Sequence, residues 1–389
     1  MKLKNEDLKG VEASVPSVKD LKWTNIIFFS ITTLLGVVGS ALYLIRFGIS
    51  LSEILLFLFY MSVTGTSITL GYHRLFAHNT FKASPLVRFL VLFFGAAAFE
   101  QSALKWSSQH RDHHRFVDTD RDPYNIKKGF FYAHIGWLIF WRHRFHYDHV
   151  QDLQKSRLLM HQHRHYKVWA IIAGIITPVL IGALTGHMLG AFLLSVCTRL
   201  TLVYHSTFCI NSVCHTFGKA TYDIYSTAKD HWLVAFITNG EGYHNFHHHF
   251  PGDYRNGVRW YQWDPTKWMI ALLAKLGLVW DLKEISGFRI MAAQFATEKQ
   301  RIEDRLLQRS GHPSLLTLRN LLETQYEKLK QTLNVWEHSA KEYQGILLQH
   351  IERHAEARHQ AALKSLEARR QFQETLAQWK SIYLQIKAA

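Results

Sequence analysis

Cysteine is nearly absent from this chain of 389 residues: three occur, Cys197, Cys209 and Cys214, all in one apolar stretch. None is spaced Cys-x-x-Cys, and three cannot form an even framework. Neither a disulfide scaffold nor a cysteine-based zinc site is indicated, and buried small hydrophobes are the expected role. A basic stripe with an RNA- or DNA-reading pattern is also missing, although 45 Lys/Arg against 30 Asp/Glu give a formal charge of +15. Nucleic acid is therefore set aside. Anionic lipid headgroups, phosphate-bearing substrates and an acidic electron-transfer protein remain as partners for that charge. The first 22 residues are polar, so no cleavable signal peptide is expected.

A mean hydropathy of −0.08 averages two unlike parts. Residues 23–213 hold long apolar runs, whereas 290–389 are charged and polar. Four runs reach the roughly 20 residues that cross a bilayer: 26–47, 51–72, 168–189 and 190–213. The links Gly48-Ile49-Ser50 and Thr185-Gly186-His187 are short, predict two antiparallel hairpins, and contain no lysine or arginine. Residues 73–165 carry fourteen Lys/Arg against seven Asp/Glu, which predicts that this segment and both termini are cytoplasmic. A shorter run, 86–99, is interrupted by Arg88, ends at Glu100, and reads as an interfacial helix. Arg199 lies inside the fourth span; snorkelling to the outer interface is the favoured reading, and a partner inside the bundle is the alternative.

What the chain does have is histidine, in four clusters: His73-Arg-Leu-Phe-Ala-His78, His110-Arg-Asp-His113-His114, Asn211-Ser-Val-Cys-His215 and His244-Asn-Phe-His247-His248. Residues three and four apart share a helix face, so His110, His113 and His114 are expected to project together, as are His244, His247 and His248. Neutral imidazole is the commonest transition-metal ligand, and nine exceed what one ion can use; the arithmetic points to two. The topology brings all four clusters to the cytoplasmic end of the bundle. His73 and His78, five residues apart, lie about 140° apart on an ideal helix, so the helix must end or distort between them.

These clusters resemble those of the membrane fatty acyl desaturases, most closely the stearoyl-CoA (acyl-CoA Δ9) desaturase branch, of bacterial type. The likeness covers about residues 25–287. It includes Gly240-Glu241-Gly242-Tyr243, Phe250-Pro251-Gly252-Asp253-Tyr254, Asp122-Pro123, Gly129-Phe130-Phe131, His134-Ile135-Gly136-Trp137, Arg199 and Gly218. The resemblance implies an all-α fold: a four-helix transmembrane bundle of two hairpins, capped by a cytoplasmic helical di-iron domain. It implies two iron ions held by His73, His78, His110, His113, His114, His215, His244, His247 and His248, with Asn211 reaching one iron through a water. It further implies O2 as co-substrate, two external electrons, and removal of two hydrogens from an acyl chain to leave a cis double bond near Δ9.

In that family a tryptophan at the place of Trp106 lines the bend of the acyl tunnel, so Trp106 is a candidate substrate contact; a core tryptophan is the alternative. Bulk at Ile68, Thr69 and Leu70 would limit chain length. Two departures affect the head group: Ser108-Gln109 stands where animal acyl-CoA desaturases have an Arg-Asp pair, and Trp141-Arg142 replaces a basic pair. Acyl-CoA is the first choice of substrate, with Arg142 as a candidate contact, and carrier protein or a glycerolipid as alternatives. Glu241 is assigned either to support of a ligand or to a local turn. His134, outside these clusters, is expected to support a ligand from behind or to be structural rather than to bind metal, and His249 to be no ligand. His143, His146, His149, His161, His163 and His165 are expected to form a solvated interfacial face, with extra metal binding as the alternative.

From about 290 the chain has one proline, in Gly311-His312-Pro313. Leucines from Leu315 to Leu333 recur at helical spacing, a second helical tract covers 339–387, and two or three amphipathic helices are expected. They would pack on the catalytic part or pair as a coiled coil. A haem-binding His-Pro-Gly-Gly element is missing, so a separate electron donor of ferredoxin/reductase or cytochrome b5 type is expected, with membrane lipids as further partners. The division is 1–22 cytoplasmic tail, 23–287 membrane desaturase domain and 288–389 helical extension. The membrane would be the bacterial cytoplasmic membrane, or the endoplasmic reticulum of a eukaryote. An acyl hydroxylase on the same scaffold is the runner-up. A metal transporter is the reading from another class, disfavoured because transport sites sit near mid-membrane.

Overall fold

The computed structural model describes residues 21–140, 146–308, 314–348 and 355–388. Arg142 and the 311–313 punctuation lie outside the described residues. Four apolar helices, Trp23–Phe47, Leu51–Ala77, Tyr166–Leu184 and Met188–Ser212, are long enough to cross a membrane. The first link leaves its helix at Gly48 (φ 73°) and the second turns at Gly186 (φ 77°), left-handed positions that glycine adopts without strain. The first link also starts the next helix: Ser50 caps it by accepting the Glu53 N–H, and the Glu53 carboxylate accepts the Ser50 N–H at 2.8 Å. Between the hairpins lies Pro85–Ala96, apolar but too short to span, and then the helix Ala103–Phe116, capped by Ser102. Among the described residues the strand content is one antiparallel pair, Lys82–Ala83 with Val279–Trp280.

All four spans contain a π-helical stretch: Leu35–Gly39, Ser67–Ala77, Ile172–Ile176 and Ala191–Thr198. Such wide turns leave carbonyls off the regular ladder, and Arg199 collects two of them. It is fully buried, so the expected snorkelling does not occur. Its guanidinium donates to the carbonyls of Ser195 (2.7 Å), Ala97 (2.8 Å) and Gly174 (3.1 Å) and to Thr64 Oγ1 (3.2 Å). Ser195 and Gly174 sit in π-helical stretches and Ala97 at a helix end. Three elements other than its own are thereby pinned to one cation, with the Tyr60 ring 5.6 Å away.

The chain divides into two compact units, residues 1–220 with 225–284, and 221–224 with 285–389. In the second, the helices Gly287–Gln308, Ser314–Leu348 and Ala355–Ala388 share a core of Ile302, Leu306, Leu322, Leu329, Leu333, Phe372, Trp379 and Ile382. The expected start of a separate tract at 339 is wrong. No proline stands between 314 and 348, and one helix runs through that stretch.

Replacing Arg199 by leucine removes every donor from this junction. Leaving several buried carbonyls unpaired should cost about 3 kcal/mol or more, read as a fall of roughly 5 °C or more in the thermal midpoint of the detergent-solubilised protein. An unchanged midpoint contradicts the role given to Arg199.

Candidate metal centre

The second span widens where it meets the cap. Over Ser67–Ala77 every residue is buried, and the His78 N–H donates to the His73 carbonyl at 3.0 Å, five residues back. This wide turn brings the two rings to 4.8 Å, the distortion their spacing requires. The helix Ala103–Phe116 supplies His110, His113 and His114, and the six-residue helix His244–His249 supplies His244, His247 and His248. His215 follows the end of the fourth span by three residues.

The nine histidines form two groups. His73, His78, His110, His114 and His247 make one; His113, His215, His244 and His248 make the other; within each, one nitrogen per ring lies within 4.8 Å of all the rest. Each box is thus split rather than projecting as a triad. At about 100° per residue, positions i and i+4 stay about 40° apart, whereas His113 and His114 diverge by about 100°. His110 and His114 turn to one side and His113 to the other; His244 and His248 share the second group while His247 joins the first.

All nine rings face inward through Nε2. In the five-membered group the Nε2 atoms of His73 and His247 are 2.9 Å apart, those of His78 and His110 2.8 Å, and those of His247 and His114 2.9 Å. In the other, His215 and His244 are separated by 3.0 Å, His244 and His248 by 3.0 Å, and His113 and His248 by 3.2 Å. Two nitrogens each ~2.1 Å from one ion and at right angles about it stand about 3.0 Å apart. Burial first, then neighbouring imidazoles, holds His78, His110, His114, His244, His247 and His248 well below the ordinary histidine value. The same causes lower His215 to about 3. These rings are neutral at pH 7, the form that binds metal.

Carboxylates behind the rings fix two of them. Glu241 Oε2 lies 2.7 Å from His73 Nδ1, and Asp122 Oδ1 lies 2.8 Å from His113 Nδ1. A ring whose Nδ1–H donates to a carboxylate keeps Nε2 bare for a metal. Of the two roles open to Glu241, support of a ligand is the one its position serves. Its other oxygen accepts from Arg74, which also bridges to Asp264 at 3.0 Å. Burial alone would raise Asp122 and Glu241. His113 and backbone amides hold the first below the usual carboxylate range, and His73 and Arg74 hold the second. Arg74 and Asp264 were not legible in the residues, because partners 167 to 190 positions apart leave no spacing to read; Asp122 stood among the family-like residues, but its task at His113, nine positions away, did not follow from them.

A cavity of about 470 Å³ adjoins the centre, its wall containing His73, His110, His244, Asn211, Trp106, Ile68 and Thr69. Leu70 is buried in the core instead. Trp106 stacks on His110 at 4.8 Å, and its Nε1 donates to Glu100 Oε2 at 3.1 Å, while Thr207 donates to Glu100 Oε1 at 3.1 Å. Burial raises Glu100 to about 7 against the pull of those two hydrogen bonds. Gln109 also lines the cavity, whereas Ser108 is turned to the His146 carbonyl. His134 lies outside both groups, paired with Ser212 and His205, and His249 is exposed. Arg142 and His143 lie outside the described residues.

Loaded with ferrous iron and desalted, the protein should retain about two ions per chain. His78→Ala and His215→Ala, each disabling a different group, should retain about one. Elemental analysis showing one ion in the unaltered chain, or two in both variants, contradicts two separate sites.

The family described as fatty acid desaturase matches residues 51–282. A probable acyl-CoA desaturase of Schizosaccharomyces pombe is 42% identical over 249 residues, 63% of this chain and 52% of that protein. Acyl-CoA desaturase 1 of Saccharomyces cerevisiae is 38% identical over 272 residues, 69% and 53%. Stearoyl-CoA desaturase 4 of Mus musculus is 33% identical over 293 residues, 72% and 81%. The chain spans about half the length of the two yeast relatives. All three relatives are eukaryotic, so they lend the expected bacterial type no support. The matched region holds both histidine groups, and the chain belongs to the fatty acid desaturase family.

Proposed function

We propose that this protein is an integral membrane acyl desaturase that places a cis double bond near the middle of a saturated acyl chain, at Δ9 as the resemblance implies, with acyl-CoA as substrate. One observation carries the reading: a cavity walled by Phe28, Leu58, Met61 and Ile68 also exposes His73, His110 and His244. Its volume lies within the range of small-molecule sites, and its mixed lining suits a long apolar chain delivered to a metal. The names of the relatives support the CoA carrier. Two irons, when bound, would supply with O2 the oxidising power that C–H cleavage demands and that no side-chain acid or base has. The balance is one –CH2–CH2– unit, O2, two electrons and two protons giving –CH=CH– and two waters, the electrons coming from a separate donor.

The side chains set the geometry. The nine histidines would hold the two ions, and Asn211, which shares the cavity wall with His244, would hold a water on one of them. Trp106, fixed between Glu100 and His110, would form the surface against which the chain bends, and Ile68 would limit its depth. The Lys/Arg excess of residues 73–165 supports a cytoplasmic site with both termini on that side. Residues 23–287 would form the desaturase domain, 288–389 an extension.

Expression in a host lacking unsaturated fatty acids should yield a new monounsaturated acid, lost on His113→Ala. A hydroxy acid, or no lipid change, contradicts the assignment. Glu100 adds a pH dependence. Its raised value favours the neutral acid, so its contribution to stability is present below the ordinary carboxyl value and lost as pH rises through about 7. An apolar chain covering it has the same preference. Affinity for a non-reactive acyl-CoA should therefore fall above pH 7 by up to about tenfold per pH unit, and Glu100→Gln should flatten that profile. An unaltered profile in the variant contradicts the role of Glu100.

A further inference from the structure

Beyond the carboxylate on His113, the four-histidine group has a second support that no spacing in the sequence announces. His215 Nδ1 lies 2.7 Å from Thr227 Oγ1, and Thr227 Oγ1 lies 2.6 Å from Asp118 Oδ1. Thr227 also donates its backbone N–H to Asp118 Oδ2 at 2.9 Å. A hydroxyl has one proton, and an ionised carboxylate only accepts. The Thr227 proton therefore points to Asp118, and Oγ1 turns its lone pairs to His215. The Nδ1 of His215 must then carry the ring's hydrogen, leaving Nε2 bare and aimed 3.0 Å from His244 Nε2.

Asp118 closes this chain onto the other supported ligand. Its backbone N–H donates to Asp122 Oδ2 at 3.2 Å, while Asp122 Oδ1 faces His113 Nδ1 and accepts from the Tyr124 N–H at 2.9 Å. Asp118 stands at φ 63°, a left-handed conformation that aspartate tolerates better than most residues. That backbone turn, just past the helix bearing His113, leaves its side chain on Thr227 and its amide on Asp122.

We propose that Asp118 and Thr227 are positioning residues for the four-histidine site: they fix the tautomer of His215, and one turn, 118–122, locks His215 and His113 together. The proposal rests on the metal-binding reading above. Removing such a partner behind a ligand weakens metal binding by about 10–100-fold, and here the loss falls on one ion of two.

The test is release of ferrous iron from the full-length, detergent-solubilised protein against a graded chelator, with the thermal midpoint of the metal-free chain measured in parallel. In the unaltered chain both ions should need similar chelator concentrations. In Thr227→Val one of the two should leave at 10–100-fold lower concentration, and Thr227→Ser, which keeps the hydroxyl, should restore it. Asp118→Gly, which accepts the left-handed backbone without strain, should match Thr227→Val. The double variant should be no worse than either, since both break one chain. Two ions held as tightly in Thr227→Val as in the unaltered chain overturn the proposal alone. So does a loss that Thr227→Ser fails to restore, or one matched by an equal fall in the metal-free midpoint. An unaltered chain that binds no iron overturns the metal reading itself, and the proposal with it.

Discussion

Nine imidazoles, each with its Nε2 atom 2.8–3.2 Å from that of at least one other, cannot all satisfy each other. Where Nδ1 carries the hydrogen, each Nε2 offers only a lone pair, and lone pairs facing at that distance repel unless a cation lies between them. The rest of the site follows from this constraint. Carboxylates and a threonine stand behind His73, His113 and His215, where they keep the hydrogens away from the interior. Arg74 and Asp264 in turn hold Glu241. A cluster of buried carboxylates and imidazoles that is costly alone would become favourable around two ions.

The membrane part serves the same end. The π-helical end of the second span delivers His73 and His78 together, and the fourth span ends at Ser212, three residues before His215. Arg199, deep in the bundle, holds the carbonyl of Ala97, three residues from Glu100. The scaffold that sets the spans therefore also sets the wall of the cavity. That wall is apolar at Phe28, Leu58, Met61 and Ile68, and of its two carboxyls Glu241 stands behind His73 while Glu100 is held by Trp106 and Thr207. An acid that burial pushes toward the neutral form is a place where pH would act on affinity for a chain in the cavity.

Much of this was legible in the residues. The spans could be read because an apolar run of bilayer length has few other uses, and the boxes because i, i+3, i+4 histidines on a helix are costly without a metal. The distortion at His73 and His78 followed from a five-residue spacing that no α-helix accommodates on one face. Other features were hidden. The division of each box between two groups depends on which side of a helix each ion lies, which spacing alone does not state. Arg199 was misread because its partners are carbonyls, and carbonyls have no letter in a sequence. Asp118, Thr227 and Arg74 were overlooked for a similar reason: each is a common residue made specific by a neighbour distant in the chain. The helix Ser314–Leu348 ran past the expected boundary because amphipathic periodicity marks a face more clearly than an end.

The central claim is that the histidines form two adjacent but separate metal sites of five and four ligands. Anomalous scattering recorded across the iron absorption edge, from crystals of the iron-loaded protein, addresses it directly. Two peaks are expected, one among His73, His78, His110, His114 and His247, the other among His113, His215, His244 and His248. A single peak, or density bridging His113 and His114 in one site, would contradict it.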